Sequence, residues 1–81
     1  MQHALHINQL PVGASARILS YGIMNEFTER LQELGLTPGS LIRIVRRAPF
    51  SGPFEIVCGR TRLALRAQEG DKIYVERVEA A

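Results

Sequence analysis

Arginine is the residue type in this sequence that is best suited to binding a partner, and it is unevenly distributed. Nine of the ten basic residues are arginines, and six of these lie between residues 43 and 66, where Glu55 is the only acidic residue. A guanidinium group presents its donors in a fork that matches carboxylates and phosphates. This part of the chain is therefore either a surface that docks a partner or a solvated basic face of a small sheet.

A candidate docking site lies inside this basic stretch, at residues 46–52, which read RRAPFSG. Phe50 is a large apolar side chain in a loop rich in proline and glycine, so it either covers the core or contacts a partner. The arginines in front of it can bind carboxylates of a partner in forked geometry. We therefore predict a partner-binding tip that comprises Arg46, Arg47, Phe50, Ser51 and Gly52.

The other functional residue types do not form a catalytic or metal-binding constellation. Cys58 alternates with Phe54 and Ile56, which predicts a small buried hydrophobe rather than a redox or metal-binding thiol. One cysteine and two histidines near the N-terminus lack the spacing of a tetrahedral metal site, and no serine has a neighbouring histidine base. The sequence thus predicts no enzyme activity, no metal site and no cofactor, and the lone cysteine fits a reducing compartment.

The elements that must position these residues are mostly strands. After an extended Leu5/Ile7 pair, apolar alternation predicts strands at residues 14–22, 40–47, 54–59, 60–66 and 72–76. A flat sheet of this size cannot hide its apolar faces, whereas a curled one can. We predict one mainly β domain over residues 1–81, an SH3-like barrel of about five strands with one short α-helix inserted after the first long strand. An OB-like arrangement is the second choice.

The inserted helix is predicted over residues 26–34, with Asn25 as its N-cap. Phe27, Leu31 and Leu34 recur at helical spacing, so they are expected to form one apolar stripe that plugs an open end of the barrel. Later in the chain, Val45 interrupts the strand alternation ahead of two arginines. That interruption predicts a β-bulge.

The helix exit, LQELGLTPG, contains residues with strong backbone preferences for ending a helix and forming a turn. Gly35 can adopt the left-handed conformation that ends a helix, and Leu36 is then expected to fold back against Leu31. Pro38 and Gly39 occupy the two central positions of a predicted type II turn, which starts the next strand.

Several segments follow one another in a characteristic order and spacing: LQELGLTPGSLIRIVRRAP (31–49), GPFEI (52–56) and RLALR (62–66), followed by an I-x-V ending. This pattern resembles the FeoA family of ferrous iron transport accessory proteins. The resemblance implies an SH3-like domain with a cytoplasmic, non-catalytic role. It also implies a partner, the cytoplasmic part of the membrane ferrous-iron permease FeoB. It connects the chain with iron, a transition metal ion, although the family shares no iron-binding motif.

Other functions follow from composition and fold class. Small barrels with basic faces often bind nucleic acid, but this sequence shows no pair of aromatics at alternate strand positions, so a nucleic-acid partner is not expected. No apolar run is long enough to cross a bilayer, and the N-terminus lacks a signal-peptide pattern. A homo-oligomer formed through free strand edges remains open.

Overall fold

The structure is a computed structural model that describes residues 4–50 and 52–79. Its elements are β1 (Leu5–His6), a 3-10 helix (Ile7–Gln9), β2 (Ser15–Tyr21), α1 (Glu26–Glu33), β3 (Leu41–Arg47), β4 (Phe54–Cys58), β5 (Thr61–Leu65), α2 (Ala67–Gly70) and β6 (Ile73–Val78). The five predicted strands and the inserted helix are confirmed. Ile7, expected to be extended, instead opens the 3-10 helix, and the turn expected at residues 67–71 contains α2.

All pairings in the sheet are antiparallel, and the strand order is β1-β6-β2-β3-β4-β5. Side chains from every strand except β1 enter one buried cluster, against which Leu5 of β1 packs, so the sheet wraps around a single core. The mainly β, SH3-like class is confirmed. Hydrogen bonding among the described residues does not join β5 to β1, so these two strands are the edges of the sheet.

The start of α1 is fixed by its predicted cap. Asn25 Oδ1 accepts a hydrogen bond from the Thr28 N–H at 3.0 Å, and Thr28 Oγ1 accepts one in return from the Asn25 N–H at 2.9 Å. This reciprocal capping satisfies an amide that the first turn leaves unpaired.

The helix exit also matches its prediction. Gly35 has a φ of +105°, the Gly35 N–H donates to the Gln32 carbonyl at 3.0 Å, and the Leu36 N–H donates to the Leu31 carbonyl at 3.0 Å. These two bonds are those of a Schellman cap, in which only glycine adopts the reversing conformation without strain.

The turn that follows the cap is confirmed as well. Gly39 has a φ of +95°, and the Ser40 N–H donates to the Thr37 carbonyl at 2.9 Å, as a type II turn requires. The Gly39 N–H in turn donates to the Ile18 carbonyl at 2.7 Å. The turn is therefore fastened to β2 before β3 begins.

The prediction that Leu34 faces the core is wrong, because 46% of this residue is exposed whereas Leu31 and Leu36 are buried. The helix ends at Glu33, and Leu34 is its C-cap. The chain reverses at Gly35 and brings Leu36 into the core in its place. Phe27 is only half-buried.

Side chains from β2, β5 and the turn before β3 hold the end of α1 in place. The carbonyls of Leu34, Gly35 and Leu36 accept hydrogen bonds from Thr61 Oγ1 (3.3 Å), Ser40 Oγ (2.9 Å) and the Tyr21 hydroxyl, respectively. Burial raises the pKa of Tyr21 from its usual 10.0 to about 12, and the nearby Cys58 adds to the rise. Carbonyls at and just beyond the helix end are thus satisfied by side chains of β2, β5 and the turn before β3.

Candidate protein-binding surface

The predicted bulge in β3 separates two neighbouring arginines. Ile44 pairs with Ile56, and the next pairing joins Arg46 to Glu55, so Val45 has no partner across the ladder. Because side chains alternate along a strand, the extra residue places Arg46 on the outer face of the sheet. Arg47 then lies opposite the buried Phe54 and points towards the inner rim.

Arg47 binds the protein's own backbone. Its guanidinium donates to the Asn8 carbonyl at 3.2 Å and to the Leu10 carbonyl at 2.7 Å, and its Cζ lies 5.0 Å from the centre of the Phe54 ring. A single guanidinium nitrogen, Nη2, therefore ties the base of the β3–β4 hairpin to the N-terminal segment, while the cation–π contact holds the guanidinium over Phe54. The sequence gives no signal for this contact, since its partners lie 39 and 37 residues away.

Phe50 stands at the tip of the same hairpin. The loop is closed by the Ala48 N–H bonding to the Pro53 carbonyl at 3.0 Å and the Gly52 N–H bonding to the Pro49 carbonyl at 3.1 Å. Phe50 is 100% exposed and has a φ of +59°. Of the two interpretations left open by the sequence, the structure does not show Phe50 covering the core.

Gly52 is half-buried beneath the turn, where an added Cβ would lie 2.9 Å from Ala48 Cβ. A larger residue would therefore push against the loop. Ser51, which was also predicted to belong to the partner-binding tip, lies outside the described residues.

Two concave surfaces flank the hairpin. One, of about 490 Å³, is lined in part by Arg43, Arg46, Glu55 and Arg62, and we call it the arginine groove. Glu55 and Arg62 form an ion pair at 3.0 Å, while Arg43 and Arg46 have no ion-pair partner among the described residues. The groove therefore carries an excess of positive charge that suits an acidic partner.

The second concave surface, of about 380 Å³, lies at the base of the tip. It is lined by Arg46, Arg47, Ala48, Pro49, Pro53, Phe54, Glu55 and Ala64. Its lining combines apolar side chains with Arg46, Arg47 and Glu55, and it shares Arg46 and Arg47 with the predicted tip. The tip and this surface together form a continuous candidate for protein contact.

Metal-binding side chains do not cluster in the described part of the chain. In residues 4–50 and 52–79, no three His, Cys, Asp or Glu side chains are placed to hold a metal ion together. Cys58, predicted to be buried, is only partly so, and its Sγ lies 3.9 Å from the Gly35 carbonyl oxygen. None of the helices in the described residues could span a lipid bilayer.

Comparison with known proteins gives a consistent result. Residues 5–77 match the family model described as the FeoA domain. Iron(II) transport protein A from Clostridium thermocellum is 35% identical with a TM-score of 0.84, covering 91% of this chain, which spans only 46% of that protein. No curated protein sequence matches at a significant level.

Two further solved structures share the fold. FeoA from Chlorobium tepidum is 28% identical with a TM-score of 0.86, over 93% of this chain and 71% of its own. Stenotrophomonas maltophilia FeoA, solved with zinc, is 31% identical with a TM-score of 0.77, over 88% of each chain. That protein is described as an SH3 domain protein and as a candidate ferrous iron transport activating factor.

Proposed function

Since the chain belongs to the FeoA family, we propose that it is a non-enzymatic accessory protein of ferrous iron transport that binds the cytoplasmic part of the FeoB permease. In this role it works in the cytoplasm and tunes uptake by contact, while iron is the cargo of the permease. The proposal is supported by the family match and by the relative described as a candidate transport activating factor.

The observation that carries the binding role is Phe50. It combines full exposure with a left-handed backbone, two features that a bulky residue rarely shows together. Unfavourable backbone conformations tend to persist at sites that serve function. An exposed aromatic side chain on the same hairpin as Arg46 also suits a protein interface, where aromatic residues and arginine are enriched. We assign the contact to Phe50 and Arg46, and we assign Arg47 to holding the hairpin base.

Nucleic acid is the less favoured partner. Sequence-tolerant binding of single strands needs several exposed aromatics as a stacking platform. Phe54 is buried, and Tyr21, Phe27 and Tyr74 are half-buried, which leaves Phe50 as the one fully exposed aromatic of the described residues. A single exposed ring suits insertion into a partner's pocket better than stacking along a strand of bases.

The proposal predicts a loss of ferrous iron uptake when the gene is deleted and the permease is left intact. Reintroducing the chain should restore uptake. The Phe50→Ala and Arg46→Glu variants should restore it poorly, because each removes a proposed contact with the permease while leaving the protein folded. Arg77 is an exposed arginine on β6, so the Arg77→Glu variant is the matched control and should restore uptake fully. Uptake would be followed with radioactive ferrous iron.

Unchanged uptake in the deletion strain would refute the accessory role. Equal rescue by Phe50→Ala, Arg46→Glu and Arg77→Glu would instead keep the transport role and remove the tip as the site of contact. Melting curves of the purified variants show whether any poor rescue results from unfolding.

A further inference from the structure

Strand β5 is a free edge of the sheet, and the structure shows which of its backbone groups are unpaired. β5 pairs only with β4, across the two-residue turn Gly59–Arg60. The residues that flank such a turn, Cys58 and Thr61, form a hydrogen-bonded pair, and pairs of this kind alternate along an antiparallel ladder. Thr61, Leu63 and Leu65 therefore bond to β4.

Arg62 and Ala64 occupy the intervening positions. Their N–H and C=O groups point away from β4, and no hydrogen bond from another described residue reaches them. Both residues are exposed, so nothing covers this edge in the described part of the chain. Two donors and two acceptors are thus presented at the spacing of a strand, which is the template for adding another strand.

Positive charge surrounds this edge. Arg60 precedes β5, Arg62 lies within it and Arg66 follows it, and all three are exposed. Of these three arginines, only Arg62 has an ion-pair partner among the described residues, namely Glu55. Edge cations of this kind discourage unwanted pairing, and they also select for a strand that carries carboxylates.

The charge argues against a second copy of this chain as the occupant. Antiparallel pairing of β5 with itself about a two-fold axis would bring the arginines of the two copies together, which is unfavourable. The opposite edge of the sheet, β1, has only two residues and is too short to complete a stable ladder.

We propose that the β5 edge binds an extended acidic peptide segment of a partner protein by strand addition. The peptide backbone pairs with Arg62 and Ala64, and its acidic side chains, on the outer face, meet Arg62. Its alternate side chains lie over the partly buried Leu63. This inference goes beyond the transport role, because it concerns the way in which a partner binds. It applies to any partner that has such a segment.

The test uses the full chain and a blocked synthetic peptide of alternating glutamate and valine. Amide hydrogen exchange measured by NMR should show that the Arg62 and Ala64 amides become protected when the peptide is added. The Leu63 amide, already bonded to β4, should change far less. Matched peptides of alternating lysine and valine, or of the acidic sequence with N-methylated backbone on the pairing side, should give no protection.

Two variants of the chain sharpen the test. Ala64→Pro removes an outward N–H that β4 does not use, so it should abolish protection at Arg62, whereas Ala64→Ser should bind normally. Arg62→Glu should weaken peptide binding by roughly tenfold or more, and Arg43→Glu, on β3, should weaken it less. If Ala64→Pro does not fold, the N-methylated peptide tests the same hydrogen bonds on the unaltered protein.

Several results would overturn the proposal. These are protection that fails to appear at Arg62 and Ala64, equal binding of the lysine and glutamate peptides, or binding that responds only to Arg43→Glu. Protection of the two amides in the chain alone, rising with its concentration, would identify a second copy as the occupant.

Discussion

Arg46 and Arg47 are adjacent and chemically identical, yet the structure gives them different tasks. The bulge at Val45 sends Arg46 to the outer face, where it has no ion-pair partner among the described residues, and turns Arg47 inward. There its guanidinium bonds to two carbonyls and lies over Phe54. One extra residue in a ladder therefore decides which arginine is available for a partner.

We predict that Arg47→Ala lowers the free energy of unfolding by about 2 kcal/mol, because it removes two charge-assisted hydrogen bonds and a cation–π contact. Arg46→Ala should change it by less than about 0.5 kcal/mol, as expected for a surface position. Urea denaturation of both variants measures the difference. Arg47→Lys should recover only part of the loss, since a compact ammonium cannot reproduce the planar guanidinium that lies over the Phe54 ring. Equal effects of the two alanine variants would contradict the assigned roles.

Sequence reasoning at this scale succeeded where the signal is local and failed where it is not. Val45 breaks a visible alternation, so the bulge could be predicted. The contacts of Arg47 with Asn8 and Leu10 join distant parts of the chain, and no local pattern announces them. Phe50 was correctly placed in a loop tip, but its full exposure depends on the turn that the structure shows.

At the scale of elements, the exit of α1 explains how a helix of eight residues is held on a sheet. The Schellman cap satisfies carbonyls inside the helix, and side chains of β2, β5 and the following turn satisfy those beyond it. Helices this short gain little stability from their own hydrogen bonds, so such tertiary contacts are what keep them formed.

Tyr21 provides a test of this attachment through pH. The pKa of the Tyr21 hydroxyl is near 10 in the unfolded chain and about 12 in the folded one, so between these values the unfolded state loses this proton first. The stability due to Tyr21 should therefore be complete below pH 10 and be lost as the pH rises through 12.

The matched variant is Tyr21→Phe. At neutral pH it should be less stable than the wild type by about 1 kcal/mol, because the bond to the Leu36 carbonyl is missing. The gap should narrow between pH 10 and 12, since all other titrating groups are common to both proteins. Urea midpoints across this pH range measure the gap, and a constant difference would show that the Tyr21 hydroxyl does not hold its proton more tightly in the fold.

The helix exit also shows the limit of periodicity as a guide. Gly35, Pro38 and Gly39 each have a conformational preference that operates locally, so their roles could be predicted from sequence. Leu34 fits the helical spacing, but spacing alone does not show that the chain reverses directly after it, at Gly35. Leu36 is buried instead of Leu34, because the cap folds the chain back against the helix.

At the scale of the whole molecule, the strand positions and the mainly β class could be predicted because alternation is strong in every long strand. Which strands form the free edges of the sheet could not be predicted, since that depends on how far the sheet closes. The structure leaves β5 open beside a basic face, while the hairpin tip with Phe50 projects from the base of β3 and β4. A small domain of this kind offers surfaces for contact.

The most direct measurement is site-specific photo-crosslinking in membranes that contain the full-length permease. A photoreactive phenylalanine analogue in place of Phe50 should crosslink to the cytoplasmic part of the permease, because the ring is fully exposed at the tip. The same analogue in place of Arg77 should not. Failure of the Phe50 position to crosslink, or equal crosslinking from both positions, would contradict the account.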